Sequence, residues 1–165
     1  MNGNSICAAL AAAIILATGG SAAMGEASTR ERMVGTWTLV SLSGDGAASA
    51  PFGTEPKGRM TVDAEGHFSI IIRRADLPRI ASNNRLTATG AEGQTIVQGS
   101  IAYYGTLSCG EGAEVTAHID ASTFANADGE SQRRVVTFRD DEMEYANYSS
   151  SFGASVARAV WRRAK

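Results

Sequence analysis

The sequence predicts an all-β chain folded as one antiparallel barrel or sandwich of about eight short strands. Three observations predict it. Runs of strand length with period-two alternation recur from residue 35 to residue 163. Short polar turns carrying Gly or Asp separate several of them. A Gly-x-Trp step, Gly35-Thr36-Trp37, opens the first run, and Trp161-Arg162-Arg163 ends the last. An arginine on the last strand can lie over the indole of the first, a contact worth about 0.5–2 kcal/mol. Arg162 and Arg163 are the candidates for that closure with Trp37. In the plainer alternative, Trp37 is an ordinary core aromatic and both arginines are surface charges.

The chain has 165 residues, and residues 1–23 contain no charged side chain. Residues 6–17, ICAALAAAIILA, are continuously apolar, and small residues follow up to Ala23. This is the layout of a cleavable secretory leader, cut after Ala23 between the small residues of Ser21-Ala22-Ala23 and Met24. The apolar run is too short to span a bilayer, which needs about 20 residues, so no stable membrane anchor is expected after cleavage. The leader departs from the usual pattern in lacking Lys or Arg before its apolar core, which leaves an uncleaved anchor or a non-bacterial signal as the alternatives. Residues 24–165 then form one domain, secreted or periplasmic. Cys7 leaves with the leader and Cys109 stays, so the fold does not rest on an internal disulfide. Cys109, in a Gly-rich turn, could be a reactive thiol or a dimer link, but the sequence shows no base paired with it and a partly covered thiol is the plainer reading.

In order, residues 26–33 read as one helical turn and 35–42 as the first strand, with Trp37, Leu39 and Ser41 on one face. Residues 43–57 form a long loop with Phe52 at its centre, either capping a cavity mouth or pinning the loop to the body. Residues 58–62 and 67–73 form a hairpin across Asp63-Ala64-Glu65-Gly66, with Phe68, Ile70 and Ile72 sharing a face. A polar connection follows, and residues 91–98 read as a weak helical turn. Strands are expected at 99–107, with Ile101, Tyr103 and Leu107 on one face, and at 114–121. In the latter, Val115, Ala117, Ile119 and Ala121 alternate with Glu114, Thr116, His118 and Asp120. Residues 131–138 and 142–147 make a second hairpin, and 154–163 form the closing strand.

The formal net charge of −2 gives no basic excess for nucleic acid or an anionic membrane surface. The two histidines, His67 and His118, make no metal-binding spacing, and neither a nucleophile elbow nor a dinucleotide loop is present. No metal or cofactor is therefore expected. Arg133 and Arg134 point to opposite faces, so at most one enters an interior, where it needs an anion. Glu142, Glu144 and a ligand carboxylate are the candidates for that anion. His118 is the side chain best suited to proton transfer, provided its face lines the interior. If Val115, Ala117 and Ile119 face inward instead, His118 is solvated.

Six pieces, in order along the chain, carry a resemblance to a known family. They are Val34-Gly35-Thr36-Trp37 with Leu39-Val40-Ser41, and Pro51-Phe52-Gly53 with Pro56-Lys57-Gly58. Ala102-Tyr103-Tyr104-Gly105 follows, then Val115-Thr116-Ala117-His118 with Ser122. Gln132-Arg133-Arg134 and Trp161-Arg162-Arg163 complete the set. Over residues 33–163 the chain resembles the lipocalin-like domains of the calycin group. It departs from them at Phe124-Ala125-Asn126, where the family commonly carries an Asn-Trp pair. The resemblance implies an eight-stranded up-and-down barrel with an internal cavity, and a histidine at the place of His118 recurs in the family. The expected function is a secreted binder of a small apolar or amphipathic molecule. Phe52, Phe68, Ile70, Tyr103, His118, Arg134 and Tyr145 would contact it. The alternatives are an isomerase or cyclase, with His118 as general acid/base and Tyr103 beside it, and an envelope module that binds a protein partner.

The leader makes a direct prediction. N-terminal sequencing of the protein recovered from outside the cytoplasm should begin at Met24 or within a few residues of it. A chain that still begins at Met1 would overturn the leader.

Overall fold

The computed structural model describes residues 29–45 and 50–165; the predicted leader, its predicted cut site and Cys7 lie outside them. The strands are β1 (Gly35–Gly44), β2 (Lys57–Val62), β3 (His67–Arg73), β4 (Ser100–Cys109), β5 (Glu114–Ser122), β6 (Ser131–Arg139), β7 (Glu142–Asn147) and β8 (Ala157–Arg163). Each pairs antiparallel with the next, and β8 pairs with β1, so the sheet closes into an up-and-down barrel. Closure leaves no strand edge open. One helix, α1 (Gly90–Gln98), lies in the β3–β4 connection. It starts in a capping box: Thr89 Oγ1 accepts from Glu92 N, and the Glu92 carboxylate accepts from Thr89 N at 2.8 Å. Glu92 also accepts from Ala81 N at 2.8 Å, which ties the polar connection to the helix. Among the described residues no helix is long and apolar enough to cross a membrane.

One end of the barrel is sealed by its own residues. The Arg163 guanidinium lies 4.3 Å from the centre of the Trp37 ring. It donates to Val34 O at 2.8 Å and to Arg32 O at 2.7 Å. The Trp37 indole donates to Met33 O at 2.8 Å. Residues 29–33 are helical and run across this end, where Thr29 donates to Gly112 O and Arg30 to Ala64 O. The arginine of the predicted closure is therefore Arg163. Arg162 is exposed on the outer wall, where it donates to Glu142 at 2.6 Å. Above the seal, Met33, Trp37, Met60, Phe68, Val136 and Met143 are buried and belong to one core.

Two β-bulges correct the predicted strand faces. In β1 the pairing with β8 steps from Leu39↔Trp161 to Ser41↔Val160, so Val40 has no partner. Beyond it the alternation inverts: Ser41 is exposed, while Leu42 turns inward beside Ala159. In β5 the pairing with β4 steps from Ile119↔Gly105 to Ala121↔Tyr104, leaving Asp120 without a partner. Ala121 thereby moves to the outer wall and Ser122 to the inner one. An extra residue on one strand shifts every later side chain to the opposite face.

At the second bulge the backbones of β4 and β5 meet closely. A Cβ at Gly105 would overlap the carbonyl oxygen of His118, so this position takes only glycine. Gly105→Ala is expected to destabilise the barrel by about 2–3 kcal/mol, the scale of an overpacked core. The measurement is the urea midpoint, at an unchanged denaturant slope. A midpoint matching the parent would show that the bulge relaxes freely.

Candidate functional site

The opposite end of the barrel is not filled. The second half of β1, the ends of β3, β5 and β7, and the starts of β4, β6 and β8 surround a cavity of about 340 Å³. This lies within the range of about 300–1,000 Å³ usual for small-molecule sites. Leu42, Ile72, Ile101, Ile119 and Ala159 supply aliphatic wall from the strands. Two loops add aromatic cover. Phe52, in the short 3-10 turn Ala50–Phe52, packs edge-on against Phe152 of the β7–β8 loop, with ring centres 4.9 Å apart. Phe52 is 4% exposed and lines the cavity. It therefore covers the cavity and anchors its loop in one contact.

The polar part of the wall is a cluster of donors. Arg134 is fully buried. It alternates with the exposed Arg133, which pairs with Glu114 outside the barrel. The Arg134 guanidinium donates to Arg133 O at 3.1 Å and to Gln132 Oε1. It also lies 5.7 Å from the Tyr145 ring centre. Its Nε, the Tyr145 hydroxyl and Trp161 Nε1 are buried and find no hydrogen-bond partner among the described residues. Arg134, Tyr145 and Trp161 all line the same cavity, as do Tyr103 and Gln132. Among the described residues no carboxylate pairs with Arg134: Glu142 pairs with Arg162, and Glu144 with Arg158 at 3.6 Å. A buried charge without a counter-charge costs several kcal/mol.

The electrostatics of the two phenols follow from this burial. Desolvation pushes both Tyr103 and Tyr145 above the ordinary phenol range, and the nearby Arg134 charge offsets only part of it.

Of the predicted contacts, the structure brings Phe52, Tyr103, Arg134 and Tyr145 together around the cavity. It does not bring Phe68, Ile70 or His118 there. Phe68 and Ile70 are buried below the cavity, where Phe68 meets Tyr103 edge-on at 5.9 Å. Only Ile72, farther along the same face of β3, reaches the cavity. His118 faces outward, because its neighbours Ala117 and Ile119 occupy the inner face. Its ring lies 3.2 Å from Ser131 Oγ and 3.9 Å from Asp120, on the exposed wall. The sheet thus separates His118 from Tyr103, and an acid–base role for His118 in this cavity is corrected. Trp161, Gln132 and Phe152 were not among the predicted contacts. Trp161 and Gln132 were legible in principle, as the inward neighbours of Ala159 and Arg134 at a spacing of two. Phe152 sits in a loop and gave no periodic signal.

Outside the cavity, Asp63, Glu65 and His67 gather at the β2–β3 turn, with their ligand atoms within 4.8 Å of one another. All three are exposed, and Asp63 is already used to brace the turn: it accepts from His67 N at 2.8 Å and lies 2.8 Å from His67 Nδ1.

The raised phenols have a pH consequence. A group whose folded pKa exceeds its unfolded one stabilises fully below the unfolded value, about 10 for tyrosine. That contribution is lost as the pH rises above 10 towards the folded values. Tyr145→Phe removes the ionisation and an unpaired buried hydroxyl together. It is expected to preserve stability at pH 7 and to move the alkaline unfolding midpoint upward. Circular dichroism across an alkaline titration reads this, and an unmoved midpoint would show that the buried phenol does not control it.

Among solved structures the chain is similar to two mutants of the fluorescent protein UnaG, each at 13% identity. One has a TM-score of 0.39 and covers 81% of this chain and 97% of that one; the other has 0.40, covering 82% and 98%. It is also similar to a REP1-NXSQ fatty acid transporter, at 11% identity and a TM-score of 0.39, covering 82% of this chain and 98% of that one. No curated protein matches the chain. The lipocalin-like domain family matches residues 34–164, every strand of the barrel included. The chain belongs to the lipocalin-like domain family.

Proposed function

We propose that the protein is a carrier that holds one small, largely apolar molecule in the lumen of its barrel. The observation that supports this best is the cavity of about 340 Å³ inside an otherwise packed barrel, walled by Leu42, Ile72, Ile101 and Phe152. The chain fills the sealed end with its own side chains and leaves the other end to something else. Burying roughly 300 Å² of ligand apolar surface gains about 7 kcal/mol at ~25 cal/mol/Å². Association costs of several kcal/mol are set against it. Micromolar affinity then needs one or two polar contacts, and the cavity wall offers several.

The uncharged apolar leader supports work outside the cytoplasm, in the periplasm or the medium. There a carrier meets sparingly soluble molecules that water cannot transport. Histidine is missing from the residues that line the cavity, which favours binding over imidazole-driven turnover.

Mass spectrometry of the protein purified from its own source tests the proposal, first under native and then under denaturing conditions. The expected result is a mass increment of one small molecule per chain that disappears on denaturation. The bare mass under both conditions, with no small molecule in the organic extract, would overturn it.

A further inference from the structure

We infer that the molecule held in the lumen bears a carboxylate, seated against Arg134, with its apolar part directed toward the Phe52–Phe152 end of the cavity. This rests on the carrier reading and specifies its ligand. Three buried polar atoms without partners, Arg134 Nε, Tyr145 OH and Trp161 Nε1, belong to residues that line one cavity. Guanidinium and indole nitrogens donate only, and a phenol beside them is free to donate. The cluster therefore asks for an acceptor. Arg134 also asks for a counter-charge, because it is a fully buried cationic side chain. The chain does not supply one: among the described residues the nearby acids pair on the outer wall, Glu142 with Arg162, Glu144 with Arg158 and Glu114 with Arg133.

A neutral hydroxyl or amide on the ligand would satisfy one donor and leave the charge buried and unpaired. A carboxylate offers two oxygens with about four acceptor sites, matching the planar fork of the guanidinium and the donors beside it. Two of the guanidinium's contacts, to Arg133 O and Gln132 Oε1, fix its orientation before any ligand arrives. Phe52, Phe152, Leu42 and Ile101 supply the apolar surface for the rest of the molecule.

Dodecanoate and 1-dodecanol, which share a chain and differ in the head group, make the test. Each is titrated into the purified protein at pH 8, with binding read by calorimetry. Dodecanoate is expected to bind at least tenfold more tightly. In Arg134→Met, which replaces the buried charge with an apolar chain, that advantage should disappear while dodecanol still binds. Equal affinities in the parent protein would overturn the carboxylate and leave the carrier standing. Binding of neither would overturn both. If Arg134→Met does not fold, the parent protein alone decides through its pH dependence. The advantage of the acid should vanish as the pH falls through the carboxyl pKa of dodecanoic acid, with dodecanol unaffected. An advantage that persists when the acid is neutral would overturn the inference.

Discussion

The pairing of β8 with β1 is the constraint on which the rest depends. Without it the first and last strands would be open edges, and the interior would be one face of a sheet rather than a lumen. The pairing is reinforced where the strands meet at the sealed end. Arg163 both covers the Trp37 ring and ties down the backbone carbonyls of Arg32 and Val34. One side chain thereby joins the last strand, the first strand and the helical residues that cross the base. Because that end is sealed and packed, the empty volume is confined to the other end. There the connections are long enough to bring Phe52 and Phe152 over it.

The lumen holds a buried charge at a cost in stability. A barrel that needed only to fold would place an apolar residue at position 134, since replacing a buried charge by well-packed apolar atoms is often neutral or stabilising. Instead Arg134 sits among Tyr103, Tyr145 and Trp161, in a wall that is otherwise aliphatic and aromatic. Departures from good folding sense concentrate at functional sites. This one is confined to the unfilled half of the barrel, while the packed half obeys the ordinary rules of core composition.

Most of the architecture was legible in the sequence. The eight strands lie within a few residues of their predicted bounds, because alternation and turn chemistry are local signals. Both hairpins fall across the predicted turns, and Asp63-Ala64-Glu65-Gly66 closes with Gly66 at a positive φ of 93°. The face of each strand was less legible, because a bulge is a property of two strands and leaves no mark in the one that carries it. For that reason Ser41, Leu42 and Ala121 lie on faces opposite to those that alternation predicts. His118 shows the opposite case: alternation alone points it outward, and only the resemblance pulled it inward. For Phe68 and Ile70 the face was right and the depth was wrong, since period-two reasoning says which side a residue takes and not how far along the barrel the cavity begins. Arg134 was identified as the one arginine of its pair that could enter, but its lack of an anion needed the positions of Glu142 and Glu144.

The two bulges divide the barrel into halves whose inside and outside are counted independently. Below Val40 and Asp120 the register is locked to the seal; above them it is reset by one residue on each of two strands. The side chains presented to the lumen near its mouth are thus a matter of residue number as well as residue type. A single residue gained or lost at either bulge would exchange lining for surface along the remainder of that strand, with the base untouched. For a scaffold of this kind, a one-residue length change is a route to a new cavity wall that no point substitution reaches in one step.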